Sequence, residues 1–218
     1  MLCKKSLLTV VAAIAMMAAT GSAGAAPIAS GSLYFVPEAE AGNAMIGFAH
    51  GAPNVTFTAP SAPLSFTSIA GGNNAANYTA GSFLSTGGAT ILTSTPGALG
   101  TALDNGTTGT IIEFTGLVTV TTGESFSVEH DDGLQLLIGS DLVINEPGPN
   151  SPILTTDTYT GPSGNLPFDL VYGECCSAPA VLDVNLPLTT VPEPASLALF
   201  GTALIGLGAI RRRRRKSA

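Results

Sequence analysis

Two short runs carry the residue types that could do chemistry. The first is Glu129-His130-Asp131-Asp132-Gly133, and the second is Cys175-Cys176. Carboxylates beside an imidazole suit general acid–base catalysis, but their surroundings argue against a reaction. No Lys or Arg is close in sequence to stabilise a developing negative charge, and the chain has no Trp to stack a sugar ring. A Gly-x-Ser-x-Gly elbow, a His-Glu-x-x-His pair and a phosphate loop are all missing. His50 and His130 are the only histidines, too few for most zinc sites without help from cysteine. The residues therefore point to a non-enzyme, with a glycoside hydrolase the weakest reading. Asp131 and Asp132 have a plainer use as well, taking backbone N–H bonds and shaping the turn before Gly133.

The cysteines bear on compartment. In an oxidising, exported location paired cysteines normally form disulfides, and adjacent ones join only in a strained eight-membered ring. A Cys175–Cys176 disulfide closing the loop between Glu174 and Pro179 ranks first, ahead of a reduced buried pair or an intermolecular crosslink. A Cys-Cys step is too short for a zinc knuckle. Cys3 lies upstream of the first apolar run and is lost if that run is removed.

Charge narrows the partners further. The eight basic residues are Lys4, Lys5, Arg211 to Arg215 and Lys216, so none lies between Ala26 and Val191. That interval holds 14 of the 15 carboxylates, the exception being Glu193. Binding of nucleic acid needs cations to neutralise phosphates, and side-chain recognition of anionic ligands needs them too. Both are excluded, which leaves cations, neutral glycans and other proteins.

The elements that must position these residues read as strands. Gly, Thr, Ser, Asn and Pro punctuate short runs of Val, Ile, Leu, Phe and Thr, as in an all-β sandwich or barrel. The runs are Ser32 to Val36, Ala44 to Ala49, Asn54 to Thr58, Leu64 to Ser68, Thr110 to Phe114, Leu117 to Thr121, Ser125 to His130, Leu134 to Ile138, Asp141 to Asn145, Leu166 to Tyr172 and Ala180 to Leu186. Alternation puts Phe126 and Val128 inward, then Leu134, Leu136 and Ile138, then Phe168, Leu170 and Tyr172, then Ala180, Leu182, Val184 and Leu186. Ala70 to Gly109 reads as a long, partly irregular excursion, with a short helix over Asn73 to Leu84 turning Tyr78 and Phe83 inward and a turn at Asp104-Asn105-Gly106. The expectation is one antiparallel, jelly-roll-like β-sandwich over residues 26–190, flanked by an N-terminal signal helix and a C-terminal transmembrane helix.

Glu124-Ser125-Phe126-Ser127-Val128 leads into Asp131-Asp132-Gly133, then Leu134-Gln135-Leu136, a Gly139-Ser140-Asp141 turn and Leu142-Val143-Ile144. A last hairpin joins Phe168 through Glu174 to Ala180-Val181-Leu182. Over these residues the chain resembles the protective-antigen-type, flocculin-like carbohydrate-binding sandwich. In the adhesin branch of that family adjacent aspartates hold Ca²⁺, which in turn holds sugar hydroxyls. The resemblance thus implies Asp131 and Asp132 as calcium ligands, with further oxygens from Asp141, Asn145 or Asn165. Ca²⁺ takes six to eight hard oxygens, to which neighbouring carboxylates contribute charge.

Both ends of the chain are addresses. Lys4 and Lys5, the apolar run Leu7 to Thr20 and Ala23-Gly24-Ala25 make a secretory signal, cleaved after Ala25 by signal peptidase. At the other end come Val191-Pro192-Glu193-Pro194-Ala195, an uncharged run from Ala195 to Ile210, and the cations Arg211, Arg212, Arg213, Arg214, Arg215 and Lys216. The apolar run stops in the bilayer and the cations stay cytoplasmic. This order, over residues 191–218, resembles the PEP-CTERM sorting signal of exopolysaccharide-producing Gram-negative bacteria. It implies recognition by an exosortase, cleavage near the Pro-Glu-Pro motif, and a chain anchored transiently before release to the cell surface or extracellular matrix. The function expected is an exported neutral-glycan-binding module, with Ca²⁺ as its one candidate cofactor. The alternative is a structural matrix or envelope component with no specific ligand.

Overall fold

A computed structural model describes residues 29–59, 63–68 and 77–189. The expected signal helix, the transmembrane run and the sorting motif lie outside these residues. Among the described residues no helix is long and apolar enough to cross a membrane.

In chain order the strands are β1 (Ala29–Pro37), β2 (Val55–Ala59), β3 (Leu64–Ser68), β4 (Thr90–Ser94), β5 (Thr108–Val120), β6 (Ser125–His130), β7 (Leu134–Ile138), β8 (Asp141–Glu146), β9 (Ile153–Thr158), β10 (Gly164–Glu174), β11 (Ala180–Asn185) and β12 (Leu188–Thr189). Two short helices, α1 (Glu38–Ala41) and α2 (Ala80–Thr86), interrupt them. The larger sheet runs β4-β2-β1-β5-β10-β7-β8, with β12 also paired to β5, and the smaller runs β3-β11-β6-β9. All of these pairings are antiparallel.

The expected alternation places the core. All the residues assigned inward on β6, β7, β10 and β11 are buried, and Leu186 just beyond β11 is buried with them. Residues of both sheets join one cluster. Phe66 of the small sheet meets Phe114 of the large one at 5.3 Å between ring centroids, and Phe57 reaches Phe114 at 5.5 Å. Each such ring contributes on the order of 1.5–3 kcal/mol by leaving water.

Tertiary context altered four expectations. Ala44 to Ala49 is not a strand: Gly47 sits at φ +80 and the Ile46 N–H bonds to the Gln135 side chain at 2.8 Å instead of joining a ladder. The helix begins at Ala80, because Thr79 caps it and bonds reciprocally with Ser82. Thr110 to Phe114 and Leu117 to Thr121 merge into the 13-residue β5, continuous because β10 pairs along its length while β1 and β12 share the other edge. β4 and β9 are edge strands whose residues are almost all exposed, so they carry no buried alternation to read.

Two glycines let another segment approach the larger sheet closely. A Cβ on Gly173 would lie 2.2 Å from the Ala41 carbonyl oxygen, and one on Gly109 would lie 2.5 Å from the Ala41 Cβ. Without those side chains α1 settles directly on the outer face of the sheet. There Val36, Ala41, Ala44, Ile111, Val171 and Cys175 form a second, smaller core.

Candidate functional site

β6 belongs to the small sheet and β7 to the large one, so Asp131-Asp132-Gly133 is the turn that crosses between them. Asp132 adopts φ 60, a left-handed conformation that Asp tolerates better than most residues. Hydrogen bonds hold it from three sides. Its N–H donates to the Asn150 carbonyl at 2.9 Å, and its Oδ2 accepts from the Cys175 N–H at 2.7 Å. Its carbonyl accepts from His130 Nδ1 at 2.8 Å and from Asn150 Nδ2 at 3.0 Å. The turn role is thereby filled, yet both aspartates also line a cleft of about 390 Å³ with Asn150, Ser151, Cys176, Ser177 and three prolines, Pro149, Pro152 and Pro179.

Electrostatics set this cleft apart. Burial, with the Asp132 charge beside it, pushes Asp131 up to about 7. Burial likewise pushes Asp132 up to about 6, against the lowering effect of the N–H bonds from Cys175 and Asn150. Beneath the cleft Glu174 is fully buried and receives the hydroxyls of Tyr78 and Tyr172, and burial drives its pKa well above the usual carboxylate range. Asp104 joins the cluster by accepting the Ser177 N–H at 3.1 Å.

The raised values make a signed prediction. Asp131 and Asp132 bind protons more tightly folded than unfolded, so the stability they contribute is full below about pH 4 and is lost as pH rises through 6 to 7. Thermal melts in chelator should show Tm falling between pH 4.5 and 7.5, and the fall should flatten in Asp131→Asn/Asp132→Asn. A Tm that climbs over this window would contradict the assignment.

The other candidates sort by position. His130 is fully buried, with Nδ1–H donating to the Asp132 carbonyl and Nε2 accepting from the Thr155 hydroxyl at 2.9 Å. Burial lowers its pKa, so it is a neutral strut of the turn. Asp141 is spent elsewhere, its Oδ2 accepting from the Thr160 N–H, the Thr160 hydroxyl and the Gly161 N–H at 2.8–3.0 Å. Asn145 takes the Gln135 amide at 2.6 Å. Asn165 is the second residue of β10 and Glu174 its last, roughly 30 Å apart at strand rise. These three are not brought to Asp131 and Asp132. Asn150 is, from a Pro-Gly-Pro-Asn-Ser-Pro loop that reads in sequence only as a connection.

Cys175 and Cys176 are joined to each other as a vicinal disulfide at the cleft rim. The Asp132 carboxylate and both sulfurs lie within 4.8 Å of one another. Sulfurs bonded together are not thiolates, so in this state they offer no soft metal site.

Residues 190–215 match the PEP-CTERM protein-sorting motif. The chain thus carries the sorting signal of an exported protein directed to the cell envelope. No curated protein matches the chain. Among solved structures, a PA14 sugar-binding domain from RTX adhesin superposes with a TM-score of 0.51 at 19% identity, covering 72% of this chain and 89% of that one. The PA14 domain of the MpAFP antifreeze protein gives 0.45 at 17% identity, covering 74% and 81%. The first likeness shows that residues of this chain share the PA14 fold.

Proposed function

We propose that this chain is an exosortase-sorted surface or matrix protein whose sandwich, residues 26–190, binds neutral glycans at the Asp131–Asp132 cleft through Ca²⁺. The carrying observation is the cleft itself: two buried carboxylates, Asp131 raised by burial and by the Asp132 charge and Asp132 by burial and by the Asp104 charge, in an exported segment with no Lys or Arg to relieve them. The donor set fits a hard cation. Asp131 and Asp132 supply carboxylate oxygen and Asn150 a carboxamide, while Ca²⁺ leaves further positions for water and hydroxyl groups. When bound, the ion would offer those positions to a sugar. The chain's own part is to hold the carboxylates: the Cys175 N–H fixes one Asp132 oxygen, and the Asn150 and His130 side chains fix the turn behind it. The sugar-binding description of the RTX adhesin domain supports this reading through the shared fold.

The ends complete the proposal. Residues 1–25 direct export and are removed, residues 195–210 anchor the chain for a time, and the cations of 211–216 keep that end cytoplasmic until an exosortase acts.

Calorimetric titration of Ca²⁺ into the full chain, paired with a neutral-glycan array, tests the cleft. Wild type should bind calcium, and Asp131→Asn/Asp132→Asn should weaken it about tenfold or more, or ~1.4 kcal/mol. Silence in both assays would discard the lectin reading in favour of a structural matrix component.

A further inference from the structure

We propose a second cation site, distinct from the aspartate cleft, in which His50 and Glu113 bind a divalent ion of the zinc class on the outer face of the larger sheet. His50 lies in the loop of residues 42–54 that α1 lays over this face. Its side chain is 2% exposed, between the rings of Tyr34 and Phe48 at centroid distances of 5.1 and 5.4 Å. Nδ1 stands 2.7 Å from Glu40 Oε1. That bond places a proton on Nδ1 and turns the Nε2 lone pair away from Glu40. Among the described residues Nε2 is the one buried side-chain nitrogen or oxygen with no hydrogen-bond partner. Leaving a buried polar atom unsatisfied is costly, so its position calls for a partner.

The group it faces is Glu113, whose Oε1 is 3.9 Å from Nε2. The other Glu113 oxygen, Oε2, accepts the Tyr34 hydroxyl at 3.0 Å. Each facing atom is thus oriented by a bond on the far side of its own group. Metal-bound histidines and carboxylates show this outer support, the histidine donating its second N–H to a carboxylate. Glu40 would be the positioning residue, and His50 Nε2 and Glu113 Oε1 the ligands.

The gap selects among occupants. At 3.9 Å it is too wide for a direct N–H···O bond, so protonating His50 leaves it unfilled. Two metal–ligand bonds of about 2.0–2.2 Å reach across it once the partly exposed Glu113 carboxylate moves in by about half an ångström to bring the angle to tetrahedral. Glu40 and Glu113 are 28% and 26% exposed, so water can complete the coordination from the rim. Imidazole with carboxylate suits zinc or its neighbours better than calcium.

Zinc titration by calorimetry into the exported protein purified from its host, with calcium in excess to occupy hard-oxygen sites, tests the proposal. Wild type should take up one zinc. Glu113→Gln, at a partly exposed position where folding is retained, and His50→Gln should each weaken binding about tenfold or more, with a comparable loss for Glu40→Gln. Nitrogen NMR should show the His50 Nε2 resonance moving with zinc and not with calcium. No zinc uptake by wild type, or equal affinity in wild type and Glu113→Gln, overturns the site without touching the calcium reading. A His50 resonance that responds to pH alone overturns it too.

Discussion

Replacing Glu174 with leucine should lower the stability of the sandwich by about 2–6 kcal/mol, because two buried phenols lose their acceptor at about 1–3 kcal/mol each. Tyr78 and Tyr172 are both fully buried, and their hydroxyls donate to separate oxygens of Glu174. Tyr78 enters from the segment leading into α2 while Tyr172 is two residues away on β10. The carboxylate therefore ties a distant excursion to the centre of the larger sheet. Glu174→Gln keeps an acceptor oxygen, and a Tyr hydroxyl can rotate to accept from its amide, so the cost should be much smaller. Because the Glu174 pKa is raised, its ionisation opposes folding. The stability it contributes is present at low pH and lost as pH rises above the ordinary carboxylate range, so the glutamine variant should gain on wild type in that direction. Urea melts at two pH values measure both effects, read as midpoint shifts at constant slope. A leucine variant within about 1 kcal/mol of wild type would contradict the role given to the two tyrosines. The neighbouring residue is Cys175, whose N–H holds Asp132, so the leucine variant should also loosen the Asp131–Asp132 cleft.

The largest change expected in the intact host concerns the other end of the chain. Mass spectrometry of the mature protein should find everything after the Pro-Glu-Pro region gone, and Pro192→Ala/Pro194→Ala should leave the chain full length at its C-terminus and in the membrane fraction. The apolar run is 16 residues, about 24 Å as a helix, and short against a core of about 30 Å. On the proposed reading, arginines that snorkel to the headgroups would offset that mismatch at modest cost. Such a segment can hold a chain in place, and once it is cut away the acidic sandwich has no basic residue to bind an anionic surface. A mature C-terminus that still carries the arginines would refute processing.

Much of the fold was legible in order. β3, β6 and β7 coincide with their expected runs; in β3 and β6 one face is buried, so period-two alternation survives in the residue types, while in β7 Gln135 on the other face is buried as well. β4 and β9 had no such signal, since edge strands with both faces wet need no alternation. In sequence Gly133 reads only as part of a turn and Gly173 only as one residue of the last hairpin. In the fold a Cβ on the first would meet the Pro147 carbonyl at 2.3 Å, so both serve close approach.

What the sequence determined by itself is what depends on composition and local order. The cations lie only in the two ends, the tail matches the sorting motif, and the aspartate pair sits at a strand end. Tertiary structure alone decided which groups meet. The Cys175 N–H reaches Asp132 across 43 positions, Tyr78 reaches Glu174 across 96, and Tyr34 reaches Glu113 across 79. In sequence His50 is one of too few histidines for zinc, whereas folding sets it between Glu40 and Glu113. The physical reason is that sites are made by side chains from different strands converging at one end or face of a sheet. Sheet order and loop path set that convergence, and no spacing along the chain encodes it.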